Sequence, residues 1–353
     1  MATALTYGLR IGPGIEAARS GMEIAERLGD EALWAAAAEA YGWHRIVGGE
    51  MAEGFAAQER AFERADREQR PLLAWMALNI LGQFTWGLRD PDGGRAQFER
   101  QLGLAYTGRT GYAQERADGL GRCHVIRGEI DAARQLLPDA RTAWISHALL
   151  PLVQLWEGRW DDAEALARRG LATSRRTGNR WDEWAAEHLL GHLLRLRGAY
   201  APAAEALERA RAIVRDGGAR YFEVWVLPDL ARALVALGRT GTAREHVDRC
   251  REIFAGGEDW RGRLATAGIA EAVVLSVEGR PDEADAAFAA ALASARRYGL
   301  APDEADALRE RGAALERSGD GVRAAESRAA ADVLYVRHGA GAPWLGGPDS
   351  AAR

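Results

Sequence analysis

Six short turns recur along this chain on one plan: "IRGEIDAA", "WEGRWDDA", "LRGAYAPA", "ALGRTGTA", "VEGRPDEA" and "RSGDGVRA". Their glycines are Gly128, Gly158, Gly198, Gly238, Gly279 and Gly319. From Gly158 onward they stand 40, 40, 41 and 40 residues apart. Five residues after each glycine comes an alanine: Ala133, Ala163, Ala203, Ala243, Ala284 and Ala324. A fixed period of this length marks a repeat architecture, in which a unit buries its apolar face only by stacking on its neighbours. Gly48 and Gly87 are read as extending the series toward the N-terminus, with the alanine lost there. A second ladder, Gly178, Gly218, Gly257 and Gly299, lies about half a period away. A glycine just past a helix supplies the left-handed conformation that ends it. Two breaks per period therefore mean two helices per repeat.

The apolar spacing supports helices. In "YAPAAEALERARAIV", Ala203, Ala206, Leu207, Ala210 and Ile213 share one helical face, and Ala284, Ala287, Phe288, Ala291 and Ala295 repeat the arrangement. Small residues stand where two helices must touch. Gly121, Gly191, Ala231, Ala272 and Gly312 come seven residues before the turn glycine, and Ala210, Cys250, Ala291 and Ala331 come twelve after it. Gly191 is expected to face Ala203 across its helix pair, with Arg209 on the open surface.

This order of small residue, turn glycine, alanine and third small residue resembles the tetratricopeptide pattern. Gly191, Gly198, Tyr200, Ala203 and Ala210 match it best, followed by Gly121, Gly128 and Ala133. The usual tetratricopeptide unit has about 34 residues; the longer unit here resembles the helical arrays of bacterial STAND-class signalling ATPases, including LuxR-type regulators and ATPase-linked adenylate cyclases. The ending "AADVLYVRHGAGAPWL" is similar to how such arrays close. The resemblance implies an all-α fold: a right-handed α-solenoid of about eight antiparallel helix pairs over residues 1–345, matched most weakly in 1–111. An unpaired helix, "GIEAARSGMEIAERLG", opens it, and a disordered tail over 346–353 follows it. It also implies binding in place of catalysis, as the sensor or docking arm of a signal-transduction or transcription regulator. A freestanding adapter protein is the alternative, and an enzyme using the helical groove a further one.

Composition removes several chemistries. All 46 basic residues of the 353 are arginine. With no lysine there is neither a Walker-type phosphate loop nor a Schiff-base amine. No helix-turn-helix or cyclase motif is recognisable. The net charge of −5 is spread along the chain without a basic stripe, so direct nucleic-acid binding is not expected. Cys123 and Cys250 form no CxxC pair, which fits a reducing cytoplasm. No signal peptide opens the sequence, and its apolar runs, such as "ISHALLPLVQLW", are too short for a bilayer span. No membrane association and no cofactor are expected.

The candidate site comes from the repeat register. In tetratricopeptide arrays the first helix of each pair lines a concave groove. Groove positions fall ten and six residues before the turn glycine, which selects His188 and His192, then Pro228 and Arg232 with Trp225 one turn earlier, and Asp118 and Arg122. Ala148 and Leu152, and Ile269 and Val273, are the apolar equivalents. Histidines, arginines, a carboxylate and an indole on one surface suit a protein or peptide partner or a small anionic effector, and self-association into a homo-oligomer is compatible with such an array. As groove residues, the two histidines are expected to lie outside the core.

Other constellations are weaker. His188 and His192 are spaced i, i+4 as in a zinc site, but Leu189 stands where a metalloprotease has glutamate, and no third ligand is spaced to join them. His246 and Cys250 share that weakness, and no metal is expected. "DPDGG" at Asp90 lacks the closing glutamate of a calcium loop and reads as a turn. Asp161–Asp162 and Asp282–Glu283 fall at second-helix starts, where carboxylates complement the dipole and cap free amides. Trp34, Trp75, Trp144, Trp184, Trp225 and Trp260 stand near first-helix starts, either filling gaps between repeats or forming ligand pockets.

Overall fold

A computed structural model describes residues 2–104, 110–139 and 149–345. Among them there are nineteen α-helices and no strand. A short helix and a full-length one come first: α1 (Ala2–Tyr7) and α2 (Ile11–Leu28). Eight antiparallel pairs follow: α3 (Glu31–Gly48) with α4 (Met51–Arg67), α5 (Pro71–Gly87) with α6 (Pro91–Arg100), α7 (Thr110–Arg127) with α8 (Ile130–Leu136), and α9 (Leu149–Trp156) with α10 (Trp160–Thr177). Then come α11 (Arg180–Leu196) with α12 (Tyr200–Gly217), α13 (Arg220–Ala236) with α14 (Thr240–Phe254), α15 (Arg263–Val277) with α16 (Pro281–Arg297), and α17 (Ala301–Arg317) with α18 (Gly321–Arg337). Helix α19 (Ala342–Leu345) closes the array. The fold is the right-handed, tetratricopeptide-like α-solenoid that the glycine ladders imply. Trp144, Ala148 and the tail over 346–353 lie outside the described residues.

Both ladders sit where the chain leaves a helix in the left-handed conformation. All ten of their glycines between Gly128 and Gly319 have positive φ, from 64° to 87°. The N-terminal extension needs a correction. Gly48 and Gly87 end helices α3 and α5 in helical conformation. The left-handed residues are Leu9, Gly49 and Arg89, with φ of 50°, 88° and 58°, and they continue the period of 40. Gly29 and Gln69 continue the other ladder. Leu9, Gln69 and Arg89 are not glycine, which is why the sequence pattern fades there. In the corrected register the small residues reappear as Gly42 and Gly54 around Gly49. A Cβ on either would come within 2.8 Å of the other's carbonyl oxygen, so the two backbones touch. Helix α2 is also not unpaired, because α1 precedes it and packs on α2, α3 and α11.

Helix starts follow local chemistry. Asp30, Asp90, Asn179 and Asp320 accept backbone N–H bonds at the starts of α3, α6, α11 and α18. The Asp90 turn is thus a helix cap. Asp161–Asp162 and Asp282–Glu283 do occupy first turns, where they face the positive end of the dipole. They do not cap, since Arg159 and Arg280 hold the N-cap positions, and Asp162 and Glu283 bind those arginines instead.

The superhelix closes tightly on itself. Helix α3 packs on α13 and α7 on α17, each five pairs further along the chain. The main apolar core runs through this closure and includes Trp184, Tyr221, Phe222 and Trp260. At the far end, Gly341 N–H donates to the Trp156 carbonyl and the Trp344 indole to the Leu155 carbonyl, so the last helix locks onto the α9–α10 turn. No helix among the described residues is long and apolar enough to cross a membrane.

Candidate functional site

The first helix of each pair faces the inside of the superhelix, and two cavities remain there between opposing turns. The larger, about 480 Å³, lies among α1, α3, α5, α7, α11 and α13. The smaller, about 200 Å³, is walled mainly by α7, α9, α11, α13, α15 and α17. Trp86 and Trp225 line both, packed edge to face with ring centroids 5.6 Å apart.

All six residues selected from the repeat register line these cavities. Asp118, Arg122 and Trp225 face the larger one, and His188, His192, Trp225 and Arg232 the smaller. The arrangement is more enclosed than an open groove, because the opposing turn of the superhelix covers it. Asp118 and Arg122 are buried and paired to each other. The Asp118 carboxylate also accepts the Leu149 N–H at 2.6 Å. Burial pushes that carboxyl up, and the Arg122 charge and the Leu149 bond offset it only in part.

The histidines converge on one carboxylate. His192 Nδ1 lies 2.8 Å and His188 Nε2 3.5 Å from Asp229 Oδ2, and Arg195 Nε donates to Oδ1 at 2.9 Å. Burial alone would raise the Asp229 carboxyl; the charges of His192 and Arg195, with the His192 hydrogen bond and the nearby His188 ring, hold it well below the usual carboxylate range. Burial lowers the His188 imidazole, and Asp229 offsets that in part. Both histidines are thus half-buried on the cavity wall and held there by Asp229. Among the described residues no group of three or more His, Cys, Asp or Glu side chains is arranged to hold a metal ion.

Arg232 is buried and makes a bidentate contact with Asp306, at 2.6 and 3.0 Å, and a further bond with Glu310. Arg89 pairs with Asp303 at 3.0 Å. Arg263 has no carboxylate partner among the described residues. It donates to the Gly87 carbonyl at 2.6 Å and stacks 3.6 Å above the Trp225 ring.

Sequence reasoning missed half of the larger cavity. Counting ten and six residues back from Gly49 and Arg89 gives Glu39 and Trp43, and Asn79 and Gln83, and all four line it. Counting from Gly48 and Gly87 turns the register away from them. Trp75 and Trp181 also face this cavity, whereas Trp34, Trp184 and Trp260 are buried among helices. Of the tryptophans named from sequence, Trp75 and Trp225 thus line a cavity, and Trp34, Trp184 and Trp260 fill space between helices.

No family model matches the chain, and no curated protein does. Solved structures do. The chain is similar to a Rap protein complexed with Competence and Sporulation Factor, at 12% identity over 96% of each chain, with a TM-score of 0.67. It is similar to the Rap conjugation gene regulator of the plasmid pLS20 in complex with the Phr* peptide, at 15% identity over 82% of this chain and 85% of that one, with a TM-score of 0.61. Aspartyl phosphate phosphatase F from Bacillus subtilis matches at 12% identity over 97% and 94%, with a TM-score of 0.55. At such identities the likeness is one of fold.

Proposed function

We propose that the chain is a non-catalytic binding scaffold that takes a peptide or small effector inside its superhelix. In this reading it serves a bacterial signalling or transcription regulator as its sensor or docking arm, in the cytoplasm. The carrying observation is the pair of interior cavities, lined at matching positions of successive repeats and joined at the Trp86–Trp225 wall. Enclosed, mostly apolar spaces with a few placed polar groups are what ligand sites look like. One similar structure holds the Phr* peptide and another the Competence and Sporulation Factor, which supports a bound ligand for this fold. The likeness to STAND-class arrays rests on the repeat pattern and points to the same role; a freestanding adapter would bind in the same way.

Occupancy would act through curvature. Helices from opposite turns of the superhelix wall each cavity, so a ligand that bridges them favours the closed form by its differential affinity for it. The test is a melting-temperature screen of the whole chain against peptides, nucleotides and sugars, since a ligand of the native state raises the midpoint. A hit should be weakened by Gln83→Ala if it occupies the larger cavity, or by His192→Ala if it occupies the smaller. A hit that stabilises both variants as much as the parent binds elsewhere and overturns the interior site.

A further inference from the structure

Among the described residues, Glu39 is the one carboxylate lining the larger cavity that has no partner of opposite charge and no hydrogen-bond donor. Asp118 is paired with Arg122, and Glu115 accepts from the Asn79 amide at 3.3 Å. The Glu39 carboxylate has no hydrogen bond or ion pair among the described residues, although its own backbone carbonyl accepts from Gln58. The same cavity is lined by Trp43, Trp75, Trp86, Trp181 and Trp225, the last already faced by Arg263 at 3.6 Å. The face of an indole is electron-rich and attracts cations, most strongly where water is excluded. The wall carries three carboxylates and a single guanidinium, that of Arg122, whose plane is already 4.8 Å over Trp86.

We propose that this cavity selects a ligand bearing an organic cation on an apolar or aromatic body, with Glu39 as the counter-ion and the indoles as the cage. The proposal rests on the reading of the interior as a ligand site and narrows its chemistry. It reverses, for this cavity, the anionic effector that the histidines and arginines suggest from sequence. The smaller cavity differs, with four arginines against three aspartates on its wall. The space, about 480 Å³, suits an aromatic amine or the ammonium end of a short peptide.

Burial pushes the Glu39 carboxyl up to about 7. The other titratable or charged groups on the same wall are Glu115, Asp118 and Arg122 of α7, Tyr7 of α1 and Tyr221 of α13. Burial raises Glu115 as well, reinforced by Asp118. Ionisation of these carboxyls with rising pH therefore strengthens the attraction for a cation.

The probes are phenethylamine, protonated at neutral pH, and 3-phenylpropionate, its carboxylate counterpart. Binding to the whole chain is followed by indole fluorescence. Phenethylamine should bind saturably and about tenfold more tightly near pH 8 than near pH 6, and Glu39→Gln should weaken it about tenfold and flatten that profile. Equal or tighter binding of 3-phenylpropionate, or an unchanged Glu39→Gln variant, overturns the cation site and leaves the interior site standing. No binding of either probe at millimolar concentration overturns both. The pH profile of the unaltered protein decides the matter even if the variant does not fold.

Discussion

The Tyr221 hydroxyl donates to the Phe84 carbonyl at 2.7 Å, joining two residues 137 positions apart. Their rings meet edge to face at 5.0 Å. This contact brings α13 against α5 and closes one turn of the superhelix on the next. The approach is so close that a Cβ on Gly87 would lie 2.1 Å from the Tyr221 oxygen and 2.8 Å from the Trp225 ring. Gly87→Ala should therefore destabilise the protein by about 1–3 kcal/mol through overpacking. Tyr221→Phe should cost about 1 kcal/mol, because the Phe84 carbonyl keeps its helical bond from Leu88 N–H. Combined, the two should cost less than their sum, since the phenylalanine removes the atom that the new methyl meets. Denaturant unfolding of the four proteins measures the coupling, and strict additivity would mean that α13 does not press on α5.

The helix pairs themselves are tested at Gly191. A Cβ there would meet Leu207 Cγ at 2.5 Å and the Ala203 carbonyl oxygen at 3.2 Å. Gly191→Leu should lower the melting temperature far more than Arg169→Ala on an exposed face of α10. Arg209, a surface residue on sequence grounds, is a poor control: its guanidinium binds both oxygens of Glu187, which is fully buried. Arg209→Ala should itself be costly, because it removes one of the two arginines that neutralise that carboxylate.

Glu39 makes stability depend on pH. Its carboxyl is raised from 4.5 to about 7, so the native state holds a proton that the unfolded chain releases earlier. The resulting penalty is absent below the unfolded value, grows through the interval between the two, and is complete above it. Glu39→Gln removes it. The variant and the parent should melt together in mild acid and diverge as pH rises, the variant being more stable by roughly 2 kcal/mol near pH 8. Melting curves across that range check the sign, and a variant that is less stable at high pH contradicts it.

Asp229 carries the opposite sign. Its carboxyl is held below the usual range, so its contribution is present above the unfolded value and is lost as pH falls through the folded one. Asp229→Asn should cost about 3–5 kcal/mol at neutral pH, because it leaves Arg195 and the two histidines without their shared partner. The parent should then lose more stability than the variant below about pH 4. Acid titration followed by circular dichroism distinguishes the two slopes.

Periodicity made the architecture legible, because glycine is the residue that most readily takes the left-handed turn conformation. Where two glycines stood side by side, Gly48 and Gly49, the count slipped by one residue, and where Arg89 replaced the marker it slipped by two. On a helix such a slip moves a side chain by about 100° per residue, enough to hide Glu39, Asn79 and Gln83. The Gly42–Gly54 and Gly82–Gly94 pairs, each twelve apart like Gly191 and Ala203, were the available signal. Asp229 could not be found this way, since it lies one residue beyond a groove position and is defined by what crosses from α11. Nor could closure of the superhelix, which depends on contacts between residues more than a hundred positions apart.

The contacts of α3 with α13 and α7 with α17 fix how many repeats can stand between the helices that touch. In an open solenoid a unit can be duplicated or lost, and the new ends simply stack where the old ones did. Here one extra pair between α5 and α13 would rotate Tyr221 away from Phe84 and Arg263 away from Gly87 together. Between those helices the array has become a closed count, and natural variation there should appear in side chains and turn lengths while the number of helices stays constant.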